Sequence, residues 1–443
     1  MIKYTKFFIT LLLAVIVFEA KSQSTATTSS PYSQFGLGDL TPQWLPQNAA
    51  MGGIATGINK INGYNTVNSL NPASYAAIDF TTIDIGLYGN IVNLSQNGQS
   101  TQRNSNFRLS HVAFAIPVAA HSAFSFGLMP YTELGYNYTV TSPNFGTKNP
   151  ADTVAVHSIY SGEGGLSKAY IGYGTKIAKG LMVGFNASYI FGDLKHYRST
   201  EYDSPGTLNS RDEQDLTVGG INFDYGAQYQ IDLSATRHIV LGYSGSLKSK
   251  IGAQSTHVVS QYSIINGSQN VAADTLVNTQ SASTKIQLPQ INHFGISYQK
   301  DQKYLIGADY STGHWSDLSI GGVNQGMANS STLNMGGQYT PNINALGNYW
   351  ATIDYRLGLI FDQTYYNIAN PTGSGSTNIK SHAVTFGLGL PLASRGLSFY
   401  KVNFSAELGQ RGTLNNGLVK ENYINLHLGF TLNDKWFQRY KFD

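Results

Sequence analysis

The chain has 443 residues, of which only 12% are charged, while Gly numbers 47 and Tyr 29; a soluble domain carries about twice that charge. Mean hydropathy is −0.18, and beyond the N-terminus no run approaches the roughly eighteen apolar residues of a membrane helix, which excludes a polytopic helical protein. A net charge of +3 leaves no strong field for nucleic acid, and the absence of cysteine excludes disulfides, thiolate metal ligands, cysteine nucleophiles and cysteine-linked lipids.

Lys3 and Lys6 precede an apolar segment over residues 7–18, and Ala20-Lys21-Ser22 puts small residues at cleavage spacing. Residues 1–22 therefore read as a secretory signal peptide, too short for a comfortable membrane helix. Its removal takes away Lys3, Lys6, Lys21 and Glu19, leaving a net charge of +1. Residues 23–77 form the next unit. They begin as a Ser/Thr-rich leader and continue with dense Pro, Gly and Asn and no sustained period. Trp44, Leu45, Ile54, Ile58 and Ile61 are apolar enough to need burial. The small residues of Asn48-Ala49-Ala50-Met51-Gly52-Gly53 allow tight packing. A folded plug is expected.

Residues 78–432 carry strand-like segments, and 433–443 a tail. In residues 181–189 the odd positions are apolar or aromatic, against Gly184, Asn186 and Ser188. Ile221, Phe223, Tyr225, Ala227, Tyr229 and Ile231 form a second apolar row, and Ile424, Leu426, Leu428, Phe430 and Leu432 a third. A soluble sandwich also alternates. Runs of this length instead match the roughly nine to eleven residues of a tilted membrane strand, since globular strands average about five or six. Polar stretches at 141–153, 199–213, 256–284, 321–331 and 371–380 alternate with short turns at 178–180, 234–238 and 300–303. Long loops at one rim and short turns at the other define an all-β class: a transmembrane antiparallel β-barrel in the outer membrane, its exterior in contact with lipid.

Signatures of catalysis are missing. There is no phosphate-binding glycine loop, Gly242-Tyr243-Ser244-Gly245-Ser246 lacks the final glycine of a nucleophile elbow, and the ten His show no metal-ligand spacing. No enzyme activity, cofactor or metal is expected. Asp224, Asp354, Arg356 and Glu407 lie between apolar neighbours and are expected to face the lumen, joined by Arg108, because an ion at membrane depth is tolerated inside and costly toward lipid. They read as a salt-bridge network holding the plug or, alternatively, as a clamp in which Arg108 or Arg356 takes a ligand carboxylate. Tyr136, Tyr138, Tyr365 and Tyr366 read as an interfacial girdle. Pro117 reads as a turn.

Several short motifs carry a resemblance. Asn48 to Gly53 is followed by Asn71-Pro72-Ala73; Leu288-Pro289 precedes Gly295-Ile296-Ser297-Tyr298; Tyr310 leads to Trp315-Ser316; Arg356-Leu357-Gly358 to Phe361-Asp362; and His382 to Thr385-Phe386-Gly387-Leu388-Gly389. In order and spacing these resemble the FadL/TodX type of outer membrane transporter. The leader from Ser30 to Leu40 and the Trp436-Phe437 tail are more similar to envelope proteins of the Bacteroidetes type, among which the fold resembles PorV-like accessory barrels of type IX secretion. The resemblance implies about fourteen strands, a lumenal hatch with its motif at Asn71, Pro72 and Ala73, and passive sideways passage of a hydrophobic small molecule such as a long-chain fatty acid. It also offers a non-transporting alternative, an accessory barrel with a secretion-system protein partner. A lateral opening is sought at Pro130 and Glu133, where proline supplies no ladder N–H. A strand end or a bulge at the rim is the other reading of Pro130.

Overall fold

Alternation decides the architecture. The apolar rows turn outward, with Phe185, Ile221 and Phe430 exposed, while Asn186, Asn222 and Asp224 on the opposite phase are buried. The computed structural model describes residues 30–435 apart from 63, 148–150, 152, 205, 266–267, 270–272 and 393–397. The expected signal peptide, residues 23–29 and residues 436–443 lie outside the described residues.

Fourteen antiparallel strands close into a barrel. In chain order they are β1 Thr81–Ser95, β2 Gln102–Ala119, β3 Ser122–Ser142, β4 Val156–Ala178, β5 Leu181–Tyr202, β6 Asn209–Ser234 and β7 Arg237–Ser246. The circuit continues through β8 Ile291–Lys300, β9 Tyr304–Gly313, β10 Ser330–Tyr339, β11 Asp354–Ala369, β12 Ser376–Leu392, β13 Phe399–Gly412 and β14 Lys420–Asp434. Closure is made by β14 pairing with β1 from Thr81↔Asp434 to Ser95↔Lys420, so both ends of the barrel chain reach the rim of short turns.

β4, β5 and β6 run to 23, 22 and 26 residues, about twice what a tilted strand needs to cross a bilayer. Their surplus rises above the long-loop rim. There Lys250–Tyr262 pairs with the first half of β6, and Asp274–Gln280 pairs with Lys250–Tyr262. The polar stretches at 199–213 and 256–284, expected as loops, are therefore largely strand. Above lipid, a strand needs no apolar outer row to reveal it. Pro117 also departs from expectation: it lies within β2 opposite Ala123, beside a register shift.

Residues 30–62 and 64–77 fill the lumen. They comprise a 3-10 turn at Pro31–Gln34, a two-residue strand at Asp39–Leu40, one helical turn at Pro46–Ala49 and a 3-10 helix at Pro72–Ala77. Asn71 caps the last, its Oδ1 accepting from the Ala73 N–H at 3.2 Å. The expected plug is present, and its apolar side chains pack against the inner face of the wall. Met51, Ile54, Ile58 and Ile61 pack with Leu305 of β9, and Leu45, Val67, Tyr75 and Ile78 pack with Ala113, Ala123, Met129 and Tyr170 of β2–β4.

Candidate functional site: the wall break and the hatch

The β2–β3 ladder runs from Ala119↔Ser122 only as far as Val112↔Leu128. Below that point the wall is continuous. Above it, β2 keeps its pairing with β1 up to Gln102↔Leu94, and β3 keeps its pairing with β4 up to Ser142↔Val156. The two strands part in mid-wall. Pro130 sits just past the last pair, and the register against β4 shifts between Pro130 and Thr132. A residue without an N–H beside a bulge bends the strand and ends its pairing on one side. Pro130 is therefore neither a strand end nor at the rim: it lies inside β3, beside a register shift in mid-wall. From residue 131 to 135 β3 is buried, turned in toward the lumen.

In the lumen β3 finds a substitute neighbour. Asp39–Leu40 of the hatch pairs antiparallel with Glu133 and Thr132, the Thr41 N–H donates to the Tyr131 carbonyl at 3.0 Å, and the Gly135 N–H donates to Ser33 Oγ at 3.0 Å. Arg108 of β2 and Glu133 of β3 form an ion pair across the break, with the Arg108 guanidinium 4.2 Å from the Tyr88 ring centroid. Two residues that the sequence assigned to different roles, lumenal charge and lateral opening, are one contact.

Behind this pair lies a cavity of about 350 Å³ whose lining includes Asp39, Arg108, Glu133, Glu407, Arg411 and Glu421. Arg411 anchors its upper wall, donating from Nη1 to both Asp39 oxygens at 2.8 Å and from Nε to Glu421 at 2.7 Å. Sequence reasoning passed over Arg411 and Glu421. They sit opposite each other on β13 and β14, a register that local pattern does not reveal. The cavity wall is ionic and aromatic rather than uniformly apolar.

Buried carboxylates hold the hatch, among them Glu421 of β14, which accepts from Ser30 Oγ at 2.7 Å. Asp309 of β9 accepts from the Ala55 and Thr56 N–H groups, each at 2.7 Å. Asp84 of β1 accepts from Thr431 Oγ1 at 2.6 Å and from Gln47 Nε2 at 3.4 Å, and meets His111 at 2.8 Å. Asp354 of β11 accepts from Asn62 at 3.2 Å and Thr340 at 2.7 Å, and pairs with Arg356 at 3.1 Å and Lys401 at 2.6 Å. Arg356 also donates from Nε to Gln338 and from Nη1 to Asn403, so all three of its guanidinium nitrogens bond within the wall. Asp224 pairs with Lys168 at 2.7 Å and accepts from Ser188 and Ser246; it stiffens the wall, and among the described residues it bonds no hatch group. Glu407 lines the cavity.

The hatch approaches the wall so closely that only glycine fits. A Cβ at Gly184 would overlap the Pro72 carbonyl, one at Gly226 the Asn71 amide, and one at Gly358 the Gly52 backbone. Asn71, Pro72 and Ala73 are all buried, and the Asn71 amide donates to the Thr56 carbonyl at 2.8 Å. Tyr365 and Tyr366, expected in an interfacial girdle, are instead buried, with Tyr365 Oη donating to the Gly38 carbonyl at 2.7 Å. A register shift between Gln363 and Asn367 turns them inward. Tyr136 faces His196 at 2.8 Å, and Tyr138 stacks on Tyr160.

The fold of this barrel is similar to that of several solved transporter structures. The toluene transporter TodX of P. putida superposes with a TM-score of 0.58 at 14% identity, covering 90% of this chain and 100% of that one. The toluene transporter TbuX of Ralstonia pickettii gives 0.56 at 14% identity, over 89% and 99% of the two chains, and a FadL homologue of Pseudomonas aeruginosa gives 0.53 at 13%, over 90% and 100%. Identity this low shows a shared fold alone. By sequence the chain belongs to the BamG family, which it matches over residues 1–443. No curated protein sequence matches.

Proposed function

We propose that this chain is an outer membrane barrel through whose side wall a hydrophobic or amphipathic small molecule passes without an energy source. The observation that carries this reading is the end of the β2–β3 ladder at Val112↔Leu128, while both strands continue beyond it. The apolar exterior supports a place in lipid, and the rim with short turns and both barrel ends fits the periplasmic side. Passage requires the Arg108–Glu133 pair and the hatch pairing at Asp39–Leu40 to give way, followed by movement of the hatch around Asn71, Pro72 and Ala73. An ionic cavity suits a molecule with a polar end better than a bare hydrocarbon. A long-chain fatty acid meets that description, and Arg108, held by one carboxylate, is a better clamp than Arg356, which serves the wall.

The absence of native cysteine makes the test clean. With Arg108→Cys and Glu133→Cys combined, oxidation is expected to lower uptake of radiolabelled fatty acid by cells expressing the variant, and reduction to restore it. Uptake equal in oxidised, reduced and deleted strains would refute transport.

A second reading is favoured by the carboxylate anchors and the glycine contacts, which bind the hatch to strands around the wall. Under it the barrel is a sealed accessory subunit of a protein secretion machinery. A stoichiometric partner purified from native membranes, with no lumenal lipid by mass spectrometry, would support this reading over transport.

A further inference from the structure

We propose that the upper edge of β3, residues 136–142, receives an extended segment of another polypeptide by strand addition; this holds whether or not the barrel conducts a small molecule. On one side these residues pair with β4, from Tyr136↔Gly162 to Ser142↔Val156. On the other, no described strand pairs with them, because β2 has left the ladder at Leu128 and the hatch strand reaches only Glu133.

The phase of the free edge follows from the hatch. The Tyr131 carbonyl and the Gly135 N–H both point to the hatch side. In an antiparallel strand a residue's N–H and C=O point the same way, and the direction alternates residue by residue. Asn137, Thr139 and Thr141 therefore present three backbone donor–acceptor pairs in line with the bonds already used by Thr41 and Ser33. The lower part of this edge already accepts a strand; the upper part continues the same seat.

Its composition is that of a strand kept open for pairing. Natural edges are protected by charge, proline or a bulge. The segment Tyr136-Asn137-Tyr138-Thr139-Val140-Thr141-Ser142 has no charged residue, no proline and no register shift, and its Tyr, Thr and Val are strong strand formers. The edge borders a cleft of about 1340 Å³, flanked by Gln102 and Asn104 of β2 and by Pro31 and Gln34 of the hatch. An extended segment lying in this cleft would continue, along the same edge, the pairing that the hatch makes at Asp39–Leu40. The polar flanks and the line of backbone groups suit a peptide rather than an acyl chain.

The test is amide hydrogen exchange resolved to single residues, on the full-length protein in native membranes and after purification in detergent. Asn137, Thr139 and Thr141 are expected to exchange about 100-fold more slowly in native membranes than in the purified chain. Thr139→Pro removes one donor on the cleft side while leaving the β4 ladder intact. It is expected to abolish that difference without changing the migration of the unheated barrel in gels. Equal exchange in both preparations, equal protection in both, or protection that survives Thr139→Pro would overturn the proposal. So would a photo-crosslink from Asn137 that yields only a dimer of this chain.

Discussion

Asp354 is a fully buried carboxylate with four partners. It compensates Arg356 and Lys401 and reaches Asn62 of the hatch. Removing one member of a buried ionic group leaves the others uncompensated, at a cost of about 3–5 kcal/mol. Asp354→Ala should therefore lower barrel stability by that amount in urea unfolding from lipid vesicles; a loss below about 1 kcal/mol would mean that the cluster is solvated. Arg108 and Glu133 make a different case, since their pair bridges two strands that share no ladder at that height. A double-mutant cycle with Arg108→Ala and Glu133→Ala should give a coupling of about 0.5–3 kcal/mol, with the double variant more stable than the two single losses summed. Additive losses would show that the pair does not hold the break.

At the scale of the element, the hatch is shaped by what the strands omit. The Asn71 amide lies where a side chain at position 226 would stand. Gly226→Val should force the Asn71–Pro72 turn off the wall, costing about 1–3 kcal/mol by overpacking and making the hatch more accessible to protease added from the periplasmic side. Unchanged cleavage would show that the hatch adapts in place. Pro130 illustrates how far an element can be read from its residues. A proline within a strand announces a lost bond, and the β2–β3 ladder ends two residues before Pro130. Which neighbour lets go, and that the hatch then takes the vacated side at Glu133, depends on the bend of β3, which no local pattern encodes. The tyrosines of β11 mislead for the same reason. Aromatic residues near a strand end usually mark an interface, yet a register shift between Gln363 and Asn367 turns Tyr365 and Tyr366 inward onto Gly38.

Across the whole molecule, the barrel is closed twice, once by the β1–β14 ladder and once by the segment folded inside it. The full chain should therefore show little ion conductance in planar bilayers, and a chain lacking residues 30–77 should conduct as a wide aqueous pore. Comparable conductance in the two would mean that the hatch does not seal.

The sequence by itself determined the class. Its strand-long alternation of apolar and polar residues, low charge and paired rims of short and long connections follow from the need to face lipid outward and satisfy every backbone group internally, and these are local properties of the chain. The inward phase of Asp224, Asp354, Arg356 and Glu407 was legible for the same reason. Partners were not. That Arg108 meets Glu133, that Arg411 gathers Asp39 and Glu421, and that a ring of wall glycines receives the hatch were decided by the tertiary structure. Such contacts join residues up to hundreds of positions apart, and only the closure, register and bend of the sheet bring them together.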